Sequence, residues 1–130
     1  MIKRIQIPNI LQPVSHYCHV VEANGVVWVS GLVGMNFDGT IPESTKDQFD
    51  IAMRDLNTCL VAAGSCSNDV VKVRVFLTNI NDRSIINPVK SFVFQSSPPI
   101  SDIKSPTIVG FVCNTSVSYT HLTLPTSDLV

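Results

Sequence analysis

At 130 residues the chain is the size of one domain with room for a two-layer core, and small enough to gain from association. With 45% hydrophobic and 15% charged residues it reads as globular rather than disordered, with apolar surface that partner subunits would cover. A net charge of −1 with no basic run beyond Lys3-Arg4 excludes a groove of clustered cations for nucleic acid, and no stretch has the length of a membrane span.

Ile5 and Ile7 alternate with polar neighbours and predict a short first strand, interrupted at Pro8 and Pro13. Tyr17 to Glu22 reads as a second strand. Asn24-Gly25 tolerate positive φ and mark a tight hairpin turn, from which Val26 to Ser30 returns and stops at Gly31. Gly34 to Pro42 is loop, with Asp38-Gly39 as a turn. Ser44 or Thr45 then offers an N-cap, with Asp47 in the first helical turn. Phe49, Ala52, Met53, Leu56, Leu60 and Ala63 recur at helical spacing up to Gly64, a residue suited to the left-handed position after a helix.

Val70 to Leu77 is β-prone, with Lys72 and Arg74 alternating against valines, and Asn79 to Asp82 is turn material. A second helix is predicted from about Ser84 to Phe94, burying Ile85, Ile86, Val89, Phe92 and Val93, with Pro88 in its first turn or so. Ser96 to Pro99 is loop, and Thr107 to Val112 reads as another strand. The order is β-ββ-α-β-α-β. Ser116 to Val130 has no clear period and no cap signals, so no element is assigned to it.

The four cysteines (Cys18, Cys59, Cys66 and Cys113) are scattered, with no paired ligand spacing, and read as free thiols in a reducing compartment. If the segment is a strand, His16 and Cys18 share one face and His19 takes the other. No second ligand pair follows, so no metal is expected. The start lacks an apolar signal segment, which points to the cytoplasm, while its very short basic stretch leaves mitochondrial import open.

Several runs in order resemble the Rid (YjgF-type) family. They are Tyr17-Cys18-His19-Val20-Val21, Val27-Trp28-Val29-Ser30-Gly31, Asp38-Gly39, Gln48, and Leu56-Asn57 with Leu60 to Gly64. Asp69 to Val73 with Phe76-Leu77-Thr78 is the most specific, and Asn87 with Val89 and Phe94 follows. The resemblance implies an α+β, chorismate-mutase-like fold, with a mixed sheet packed on two helices, over residues 1-115. It also implies a homotrimer with clefts between subunits and no cofactor, while the charge and hydropathy patterning leave no nucleic acid and no membrane as partners. Its activity would be hydrolysis of reactive enamines and imines of the 2-aminoacrylate type to a 2-keto acid and ammonia.

A substrate of that kind carries a carboxylate, which an Arg fork holds best. Tyr17, Ser30, Gly31, Asn87 and Lys104 are the candidate binding residues. Tyr17 would shape the cleft, and a Ser30-Gly31 strand end allows close backbone approach. Asn87 would bind ligand or satisfy local backbone, and Lys104 would meet the carboxylate as a point charge.

The chain departs from the family at two points. No Arg follows Arg83, so the family's Arg position falls on Ser101 or Pro106, and no Glu follows Glu43. No catalytic residue is therefore assigned. A non-catalytic trimer that binds small carboxylate metabolites or protein partners is the alternative. Val117 to Thr126 resembles translated sequencing-adapter read-through, so 116-130 is expected to be a non-native or disordered tail in which the final family strand is missing or replaced.

Overall fold

A computed structural model describes residues 1–13, 16–94, 98, 100–104, 113–114 and 118–123, of which 101–104, 113–114 and 118–123 are described as backbone. Asn24 (φ 53°) and Gly25 (φ 77°) adopt the left-handed conformations that a two-residue hairpin turn demands. They join β2 (Val20–Ala23) to β3 (Val26–Val33), with Val20 opposite Val29 and Ala23 opposite Val26.

The first strand, β1 (Ile2–Ile5), lies earlier than the Ile5–Ile7 alternation predicts and pairs antiparallel with β2. The Ile7 N–H is diverted to the side chain of His19, so the ladder stops and Ile7 and Ile10 enter the core from a loop. The second strand starts at Val20 rather than Tyr17, because the Ser30 hydroxyl takes the Cys18 carbonyl in place of a ladder bond. The third does not stop at Gly31. It continues to Val33 through a bulge, where Val29 faces Thr120 but Leu32 faces Leu122. One extra residue is thereby absorbed without ending the strand.

The helix α1 (Thr45–Ala62) is framed as its sequence requires. The Ser44 hydroxyl accepts the Asp47 N–H at 3.0 Å. Gly64 (φ 75°) closes the other end, with Ser65 N–H donating to Leu60 O at 2.8 Å and Gly64 N–H to Val61 O at 2.9 Å. Thr45 donates to Asp82 at 2.6 Å, tying this N-terminus to the turn of 3-10 helix Ile80–Asp82.

That turn leads directly into α2 (Arg83–Phe94). Only Ile86 and Phe94 are buried there, with Val89 and Val93 half-buried; Ile85 (44% exposed) and Phe92 (75%) are not core residues as predicted. These two are seven residues apart and share a stripe turned away from the sheet. Pro88 sits past the first turn, where it removes a bond to the Ser84 carbonyl.

Strand β4 (Lys72–Phe76) points Val73 and Val75 at the helices and pairs parallel with β5 (Ile100–Lys104), an unpredicted strand. The predicted Thr107–Val112 strand lies outside the described residues. Beyond it come β6 (Cys113–Asn114) and β7 (Ser118–Thr123). No element is expected at β7, yet its backbone runs parallel to both β3 and β4 at the middle of the sheet. Two strands with unfilled ladder positions accept any extended backbone, whatever its side-chain period. The sheet order is β1-β2-β3-β7-β6-β4-β5, and the core lies between the sheet and the helices around Phe49, Leu56, Leu60 and Ile86.

Candidate functional site

The site is built on a buried histidine. His19 is 3% exposed. Its Nδ1 accepts the Ile7 N–H at 2.9 Å, which leaves Nε2 to carry the proton and donate to the Leu11 carbonyl at 3.0 Å. Gln12 reinforces the same loop by donating to the carbonyls of Ile7 (2.8 Å) and Ile10 (2.7 Å). The segment from Ile7 to Gln12 is therefore clamped against the start of β2.

Between this segment and strands β1 to β3 opens a cleft of about 700 Å³. Gln12, Pro13 and His16 line its loop side, while Tyr17, Cys18 and Ser30 line the hairpin side, with Arg4, Gln6 and Val21 at the remaining wall. Strand alternation puts Arg4 there. It faces Val21 across the β1–β2 ladder, and Val21 faces Trp28, so all three project from the surface opposite the helices. Ser30 follows Trp28 on this same surface, and the bulge at Ser30 and Gly31 returns Leu32 to the core-facing row of Val27 and Val29.

The electrostatics are one-sided. No Asp or Glu is among the lining residues, whereas Arg4 is. Tyr17 is 43% exposed, and neither its hydroxyl nor the Arg4 guanidinium has a partner among the described residues. On the core side of the sheet, burial pushes the Asp55 carboxyl above its usual range, opposed by Arg54 at 3.2 Å. Burial, with the Asp55 charge adding to it, pushes the Cys59 thiol up to about 12. Among the described residues no group of three or more His, Cys, Asp or Glu is placed to hold a metal, and no helix is long and apolar enough to cross a membrane.

Of the residues singled out from the sequence, the chain brings Tyr17 and Ser30 together in the cleft. Gly31 is the exposed neighbour of Ser30 on the bulge. Asn87 is exposed on α2, in the helical layer. Lys104 ends β5, separated from β3 by β7 and β4, roughly 14 Å across the sheet within one chain. Arg4, Gln6 and Gln12 are missed by the sequence reading. Arg4 enters only through the β1–β2 register, a long-range pairing with no local signal. Gln12 follows from counting the carbonyls that a proline-flanked loop leaves open.

A profile of the Endoribonuclease L-PSP family matches residues 7–107. A protein of Dermatophagoides farinae named 2-iminobutanoate/2-iminopropanoate deaminase is 33% identical over 97 residues, covering 73% of this chain and 76% of its own. The crystal structure of RidA from an Antarctic Psychrobacter superposes with a TM-score of 0.76 at 25% identity, covering 86% of this chain and 94% of that one. That of Escherichia coli TdcF with bound serine superposes at 0.74, also at 25% identity, covering 87% and 95%.

Proposed function

Because the chain belongs to the endoribonuclease L-PSP (Rid) family, we propose that it is a hydrolytic deaminase of reactive enamines and imines of the 2-aminoacrylate type. The observation that carries this reading is the cleft itself. It is polar, free of carboxylates among its described lining, and equipped with a cation and a phenol that no other described residue engages. A relative named for imine deamination and a structural neighbour holding serine, which carries one carboxylate, are in keeping with it.

The reaction asks little of a protein. The enamine tautomerises to the imine, and water adds to its carbon. The C–N bond then breaks, with a proton passing from oxygen to the departing nitrogen, to give a 2-keto acid and ammonia. The protein must hold the carboxylate, orient one water and donate to polar atoms as they form. In this chain the Tyr17 hydroxyl is the donor–acceptor free to handle that water. The Ser30-Gly31 bulge is the backbone that approaches the substrate.

The family name carries a ribonuclease activity, but a net charge of −1 and the lack of a basic run do not favour RNA. The same reading makes the protein a homotrimer with its clefts at subunit boundaries, in the cytoplasm or the mitochondrion. Ile2 (55% exposed) and Trp28 (42%) on the face opposite the helices would be covered there. The test is release of ammonia and keto acid from freshly generated 2-aminoacrylate. Acceleration above the spontaneous rate supports deamination. A rate equal to the spontaneous one, with small carboxylates still bound, would replace it by the non-catalytic reading, which the lack of any Arg after Arg83 and Glu after Glu43 favours.

A further inference from the structure

We infer that Arg4 is the group that holds the substrate carboxylate, in a place where neither the sequence pattern nor the relatives' names assign one. The inference rests on the deaminase reading for the identity of the substrate, but on geometry for the residue. Arg4 lines the cleft together with Tyr17 and Ser30. Its strand is paired in register with β2, so its Cα is fixed beside Val21, and its side chain stands on the cleft side of the sheet. Among the described residues no acidic side chain lines the cleft and the guanidinium has no partner.

An unpaired Arg beside a polar cleft with no carboxylate of its own is complementary to an anionic ligand, and its planar fork fits one carboxylate through two parallel N–H···O bonds. Lys104 is at the far side of the sheet within one chain and supplies only a point charge. The amides nearby do not compete for the role. Gln12 already donates to Ile7 and Ile10, and Gln6 donates toward the Tyr17 carbonyl at 3.4 Å. Arg4 therefore selects α-imino and α-keto acids over their neutral amides, and discriminates by charge rather than by side-chain size.

The experiment compares wild type, Arg4→Lys and Arg4→Met in two measurements. In the first, turnover of 2-aminoacrylate generated in situ is followed to separate KM from kcat. Loss of a charge-assisted pair should raise KM roughly 10- to 100-fold in Arg4→Met, with kcat changed less and Arg4→Lys recovering part of the loss. In the second, pyruvate and its neutral isostere pyruvamide are titrated by NMR, following the Tyr17 and Ser30 amides. Wild type should prefer pyruvate, and Arg4→Met should lose that preference while keeping its melting temperature. A wild type that turns over substrate with an unchanged Arg4→Met KM overturns the Arg4 assignment alone. A wild type without turnover overturns the deaminase reading alone, provided that it prefers pyruvate in an Arg4-dependent way. Equal binding of pyruvate and pyruvamide, or no binding of pyruvate, overturns Arg4 whatever the turnover.

Discussion

Replacing His19 by Phe removes two hydrogen bonds while keeping a planar ring of similar size in the same buried place. The Ile7 N–H, buried at 2.9 Å from Nδ1, is left without an acceptor, and the Leu11 carbonyl, at 3.0 Å from Nε2 and partly wet, loses its donor. A desolvated donor left unmade costs roughly 1–3 kcal/mol and a partly hydrated acceptor about 1 kcal/mol, so the variant should be about 3 kcal/mol less stable. For a domain of this size that is a fall in melting temperature of roughly 10 °C. His19→Ala adds a cavity to the same loss and should fall further, by roughly 1–2 kcal/mol. Gln12 and Pro13 line the cleft on the segment that His19 clamps, so carboxylate binding should weaken in parallel. Urea unfolding with an unchanged slope is the assay. A His19→Phe protein that melts within about 3 °C of wild type would refute the reasoning, because the two bonds would then contribute nothing net.

Gly34→Ala should cost about 3 kcal/mol: an added Cβ would sit 2.4 Å from Gln48 Cβ and 2.6 Å from its carbonyl oxygen, so α1 itself must move, and a urea midpoint equal to wild type would contradict this. Asp55 holds its proton more tightly folded than unfolded, because burial raises it above the ordinary 3.8. Its favourable contribution is thus complete below about pH 4 and lost as pH rises through the folded value. Asp55→Asn cannot ionise, so its stability relative to wild type should improve between about pH 4 and pH 7; a difference that is flat or falls with pH goes against the assignment. Native alkylation with peptide mapping should label exposed Cys66 promptly and leave Cys59 untouched until the protein unfolds, its thiol being buried and pushed up to about 12; early labelling of Cys59 would show that α1 opens readily.

Elements with a local cause are legible in the sequence. Asn24-Gly25 can make its hairpin alone, and α1 announces both ends through Ser44 and Gly64 with an apolar stripe between them. Features that depend on distant partners are not. Gly31 looks like a strand end because nothing local reveals that β3 can bulge against β7. Phe92 and Ile85 satisfy helical spacing as well as Ile86 and Phe94 do, and only the placement of α2 on the sheet decides which pair is covered. In the site, Tyr17 and Ser30 were reachable through the family resemblance. Arg4 needed the β1–β2 register, and His19 needed the loop that its ring holds.

The position of β7 bears on how the chain acquires its shape. Among the described residues β3 and β4 are joined through β7, which follows both of them in the sequence. During synthesis the hairpin half and the β4 half can each gather around α1, but the seam between them stays open until β7 arrives. A ribosome-bound nascent chain halted before residue 118 should therefore expose two strand edges to chaperones and to other chains, and close them once β7 has emerged.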